Sequence, residues 1–293
     1  MTFEKTIQTR PLMLMEAAIV ERLRRNPEVR LHPRLENAML IYSPEGRAAL
    51  DSIYREYIEE AQQAALPIAL STTTWRANQA RLAEANIETD VNADAVRFLK
   101  SYAGVFVGGM IGCRNDCYRP DEALSRAEAV DFHSWQINRL LDADFLYAVT
   151  LPEINEALGI AQAMAATERP YIISFVIDQT GKILDGTTLE TAIERIDAET
   201  ERPPLGYGVN CSYPSFLQAA KLSASATSRL ISLQANASSL SHDELDQSED
   251  IHNDDLEDWG ERMIERRHTL GLKLLGGCCG TDASYLKYIT QHR

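Results

Sequence analysis

The sequence predicts an α/β protein built as a single (β/α)8 barrel spanning residues 1–293. Three observations carry that expectation. Short apolar runs rich in strand-forming residues alternate with longer stretches of helical period. The alternation occurs eight times. No linker rich in Pro, Gly or Ser divides the chain, and no internal repeat is detectable, which favours one domain.

The strand candidates, in order, are Pro11–Ala18, Leu66–Thr74, Gly104–Cys113, Phe145–Pro152, Pro170–Asp178, Leu205–Cys211, Arg229–Asn236 and Gly271–Cys279. Several are continuously apolar, Tyr171-Ile172-Ile173-Ser174-Phe175-Val176-Ile177 above all. Strands covered on both faces of a parallel sheet read this way, because neither face meets water. Between them, Gly46–Gln63 repeats Leu50, Ile53, Tyr54, Tyr57, Ile58 and Ala61 at helical spacing, and Ser125–Leu141 and Thr187–Ile196 behave alike. Strand–helix units of this kind make right-handed crossovers and a parallel sheet. Eight units close economically into a barrel, with a doubly wound open sheet as the rival.

Composition removes several classes of function. Of 293 residues 45% are hydrophobic and 25% charged, as in a globular protein with a large core. Twenty-nine Lys and Arg against 43 Asp and Glu leave a formal charge of −14. That field repels phosphate backbones and anionic lipid surfaces, so neither nucleic acid nor membrane is an expected partner. No apolar run reaches the roughly 18 residues of a membrane helix. Met1–Thr6 lacks the basic and apolar regions of a secretion signal. Five cysteines, an odd number with two adjacent, do not read as a disulfide framework; thiols in a reducing cytoplasm are expected. Neither a Gly-x-Gly-x-x-Gly nor a Gly-x-x-x-x-Gly-Lys stretch supports nucleotide binding.

The cysteines carry the chemistry. Cys211 closes Gly208-Val209-Asn210-Cys211-Ser212, and Cys278 and Cys279 lie within Gly276-Gly277-Cys278-Cys279-Gly280-Thr281. Both segments end predicted strands, and the carboxyl ends of barrel strands are where such folds build active sites. Neighbouring residues of a strand point to opposite faces, so two adjacent cysteines share an ion only where the strand has ended and the chain turns. The flanking glycines allow that turn. Three thiolates on a tetrahedral ion leave one position open, as in catalytic zinc sites. The alternative is three small buried hydrophobes. Cys113 and Cys117, after the third strand, are expected as free thiols.

Gly-Val-Asn-Cys followed some 65 residues later by Gly-Gly-Cys-Cys-Gly-Thr resembles the zinc-dependent homocysteine S-methyltransferase family. The likeness extends to Thr72-Thr73-Thr74-Trp75-Arg76-Ala77, to Pro170–Asp178 with Gly186-Thr187-Thr188-Leu189, and to Asn236. It implies a zinc-bearing TIM barrel that binds Zn2+ through Cys211, Cys278 and Cys279 and moves a methyl group from an activated donor to homocysteine. S-methylmethionine, S-adenosylmethionine and betaine are such donors. By the same resemblance Asn236 is expected at the fourth zinc position, and the segment around Thr74 and Trp75 beside the substrates. Trp75 either faces a cationic methyl donor or packs.

Two positions depart from the family pattern. The aspartate that ends the first strand and the glutamate that ends the fourth, both on the substrate amine, are replaced by Met15 and Val149. Glu16 and Glu153 are the nearby carboxylates offered as substitutes. Other acceptors, a thiol or selenol without an amino acid head group, therefore stay open, as does a non-catalytic zinc-binding relative. The acidic segment Ala237–Glu261, with His242 and His252, is expected as a solvated loop with a short helix, or as a lid.

Overall fold

Pairing between the first and last strands decides between barrel and open sheet. In the computed structural model, which describes residues 1–242, 244 and 252–293, Met13 and Leu14 pair in parallel with Leu274 and Leu275. The closed sheet runs in sequence order: β1 (Met13–Met15), β2 (Ile68–Ser71), β3 (Val105–Ile111), β4 (Phe145–Leu151), β5 (Tyr171–Phe175), β6 (Gly206–Asn210), β7 (Leu230–Ala235) and β8 (Leu274–Gly277). Each strand lies inside its expected run.

The surrounding helices are α1 (Phe3–Thr9), α2 (Val20–Arg24), α3 (Pro44–Gln63), α4 (Gln79–Glu84), α5 (Val91–Lys100), α6 (Arg126–Arg139), α7 (Ile154–Ala165), α8 (Leu189–Glu199), α9 (Pro214–Ala219) and α10 (Ala224–Arg229), then Leu256–Leu270 and Ala283–His292. Local chemistry sets their ends. Ser43 accepts the Gly46 amide with Pro44 at the first helical position of α3. Ser125 and Glu128 form a capping box on α6. Gly271, at φ 69°, terminates Leu256–Leu270 in the left-handed conformation glycine tolerates.

The period-two rule sorts side chains between two cores. Along β1, Leu12 and Leu14 join the core between strands and helices, whereas Met13 and Met15 point into the lumen. Ala69, Phe145, Tyr147, Val149, Ile172 and Leu274 fill the lumen with them. The amino-terminal end is plugged by α1, whose Phe3 stacks on Phe145 with ring centroids 3.8 Å apart. A side chain at Gly108 would meet the Phe145 ring at 2.6 Å, so the plug requires glycine there. With that end filled, ligand access is left to the carboxyl ends of the strands.

Candidate metal centre

Strand β6 ends at Asn210, and Cys211 turns the chain with φ 50°. A non-glycine residue adopts this left-handed conformation only where its surroundings hold it. Here the Cys211 amide donates to the Gln234 carbonyl, and its own carbonyl accepts from Asn236 Nδ2 at 3.0 Å and His242 Nε2 at 2.8 Å. On the far side of β7, β8 ends at Gly277, so Cys278 and Cys279 lie beyond the strand. The Cys278 amide donates to Ala235, its carbonyl accepts from the Thr281 hydroxyl, and Gly280 turns at φ 80°.

The sulfurs of Cys211, Cys278 and Cys279 all lie within 4.8 Å of one another. Among the described residues they form the only group of three or more Cys, His, Asp or Glu able to hold an ion. Cys211 and Cys278 are joined as a disulfide, with Cα atoms 5.4 Å apart and a sequence separation of 67. Sulfurs close enough to share a small ion are close enough to oxidise when none is held.

A hydrogen-bonded frame supports the cluster. Asn210 Nδ2 lies 3.4 Å and Thr150 Oγ1 3.7 Å from the Cys211 sulfur, both as donors. Asn210 is itself locked by the Thr150 amide at 2.9 Å and the Ser174 hydroxyl at 2.7 Å. Thr150, at φ 55°, is the second left-handed residue of the frame. Donors converging on a sulfur favour its thiolate form. Three cysteine sulfurs gathered at one point are soft donors, so the set suits a soft divalent ion.

Each candidate residue has a definite place. Asn236 lies beside the cluster: its Nδ2 donates to the Cys211 carbonyl and its Oδ1 accepts the Cys279 amide at 3.2 Å, so it joins the two cysteine loops. Glu153 is the N-cap of α7, its oxygens taken by the Glu156 amide and Asn155. Glu16 is buried and accepts the Ser71 amide at 2.5 Å, and desolvation raises its carboxyl to about 8. Thr74 bonds to Thr72 and to the Met110 carbonyl, both at 2.6 Å. Trp75 carries the Arg76 guanidinium 4.1 Å over its ring, so a protein cation covers one face.

Cys113 and Cys117 are free and buried, as expected, and stand outside the cluster. Burial and then the Glu156 charge push Cys113 up to about 12. In the acidic segment, Asp255 caps the helix Leu256–Leu270, with Glu257 and Asp258 in its first turn. His242 stacks on Tyr118 with centroids 4.8 Å apart, joining the loops after β7 and β3 over the mouth. Asp243 and residues 245–251 of the segment lie outside the described residues. Asn210 and Thr150 were not singled out as site residues from sequence, although Asn210 stands in the Gly-Val-Asn-Cys element.

Comparisons with known proteins show the family and the fold. The family model described as homocysteine S-methyltransferase matches residues 13–292. Homocysteine S-methyltransferase YbgG of Bacillus subtilis (strain 168) is 28% identical over 181 residues, 59% of this chain and 54% of that protein, so the match spans about half the relative's length. The homocysteine methyltransferase MmuM of Escherichia coli shares the fold. Its metallated form superposes with TM-score 0.75 at 17% identity, covering 99% of both chains. Its oxidized form superposes with TM-score 0.72 at 19% identity, covering 98% of both. With a family model matched from β1 to the last helix, the chain belongs to the homocysteine S-methyltransferase family.

Proposed function

We propose that the protein is a zinc-dependent methyltransferase that moves a methyl group from an activated donor to a thiol, with homocysteine, giving methionine, as the acceptor its family suggests. The single observation behind this reading is the three-cysteine cluster at the barrel mouth. Cys211, Cys278 and Cys279 would hold zinc once reduced, with Asn210, Thr150 and Asn236 holding them in turn, and a bound zinc would act as a Lewis acid that lowers the pKa of an incoming thiol. The thiol proton goes to solvent. A sulfur lone pair then forms the S–CH3 bond as the donor's bond to methyl breaks, the bonding pair leaving with the donor. The barrel's part in this in-line displacement is alignment.

One observation favours a second reading of the acceptor. Met15 and Val149 line the lumen below the cluster, where an ammonium group needs anionic or carbonyl partners. An acceptor without an amino group suits those walls better than homocysteine.

The test is elemental analysis of reduced protein combined with product detection. About one zinc per chain is expected, with methylated thiol formed from at least one of S-methylmethionine, S-adenosylmethionine, betaine or a methylated folate. Methyl transfer that persists after the metal is removed would overturn the proposal.

A further inference from the structure

Two side chains from opposite rims of the barrel meet above its open end. Tyr118 follows β3 and His242 follows β7, and these strands lie four apart whichever way round the closed sheet is counted. Their rings nevertheless stack, with centroids 4.8 Å apart and planes 27° from parallel. Contact between loops on opposite sides of a closed sheet has to cross its mouth. The cysteines stand at that mouth, on the loops after β6 and β8 that flank β7. His242 also donates from Nε2 to the Cys211 carbonyl at 2.8 Å.

The two sides of the contact are built differently. Tyr118 stands on a fixed post. Cys113 and Cys117 anchor its loop in the core, and Glu156 accepts the Arg114 and Leu124 amides of the same loop. His242 stands on a strap clamped at its root. There Ala237 donates to the Cys279 carbonyl and accepts the Asp254 amide, and Trp259 Nε1 donates to the Asn236 carbonyl. Past that clamp the strap runs over the rim, where Gln179 from the loop after β5 donates to the Ser239 carbonyl in a solvent-exposed bond at 3.2 Å. Exposed hydrogen bonds and a ring stack on a loop belong to the part of a fold that opens most easily.

We propose that residues 238–242 are a gate over the cysteines, latched by the stack of His242 on Tyr118. Closed, the gate shields the sulfurs from water and from bulky reagents; it leaves Tyr118 to admit metal and small molecules. The bond from His242 to the Cys211 carbonyl couples closure to the backbone of one cysteine of the cluster. This inference goes beyond the methyl-transfer reading and needs only the cluster itself.

Alkylation of reduced, metal-free protein with a bulky maleimide tests it, each cysteine being followed by mass spectrometry. Cys211, 7% exposed, is the reporter. Tyr118→Ala and His242→Ala should each speed its alkylation about tenfold, and the double variant no more than either alone, because one latch is released only once. Tyr118→Phe and His242→Phe keep a stacked pair of rings and should stay near the parent rate. Cys113 should remain protected in His242→Ala, which reports an intact fold. Parent-like rates in both alanine variants, gains that multiply in the double variant, or phenylalanine variants as fast as the alanine ones would each overturn the proposal. Should Tyr118→Ala fail to fold, His242→Ala against His242→Phe decides alone. Alkylation needs no metal, so the outcome is independent of whether the protein loads zinc.

Discussion

The side-chain oxygen of Asn236 accepts the backbone amide of Cys279 at 3.2 Å, while the nitrogen of the same amide donates to the Cys211 carbonyl at 3.0 Å. One residue thus fixes the spacing of two loops whose cysteines lie far apart in the chain. Asn236→Ala removes both bonds and unties the two loops, although the Cys211 carbonyl keeps His242. Metal affinity is expected to fall about 10–100-fold, as for other groups that orient metal ligands. Competition with a chelator of known affinity measures it, and an unchanged affinity would show the loops to be set independently.

Cys278→Ser should lower bound zinc and methyl transfer together, because a hydroxyl is a poor substitute for a thiolate on zinc. Oxidation should act on the same cluster. Of the five cysteines, Cys113, Cys117 and Cys279 are free. Thiol titration of denatured, oxidised protein should therefore find three, and reduction should restore five along with metal binding.

Glu16 makes stability depend on pH. Its carboxyl titrates near 8 in the fold, against an ordinary value of 4.5, because burial disfavours the charge. Between those values the folded protein keeps a proton that the unfolded chain releases. The contribution is therefore complete below about 4.5 and is lost as pH rises through about 8, at up to about 1.4 kcal/mol per pH unit. Glu16→Gln retains an acceptor for the Ser71 amide and removes the titration. Thermal melts should show the variant gaining on the parent at pH 8.5 and not at pH 4.5; equal shifts at both would exclude this account.

Glu156 organises the loop that carries Cys113, Cys117 and Tyr118. It accepts the Arg114 amide at 2.8 Å, the Leu124 amide at 3.1 Å and His133 Nε2 at 2.9 Å. Burial pulls its carboxyl upward, but the His133 and amide hydrogen bonds outweigh burial and hold it below its ordinary value. Glu156→Ala leaves the buried Leu124 amide and His133 without this partner, an expected cost of about 1–3 kcal/mol each. Chemical denaturation measures it, and faster alkylation of Cys113 and Cys117 in the folded variant would locate the damage in this loop.

The sequence by itself determined the eight strand–helix units, the place of the three cysteines at strand ends, and the family. These are legible because strand and helix repeat with different periods, and because two adjacent cysteines among glycines have few structural uses. Tertiary structure alone decided closure, through Met13 and Leu14 meeting Leu274 and Leu275. It also gave the polar side chains their partners. Glu153 was free in sequence to meet a substrate and in the fold caps α7; Asn236 joins the two cysteine loops through its side-chain amide. A hydrogen bond depends on which distant donor arrives within about 3 Å, and that distance exists only once the barrel has closed.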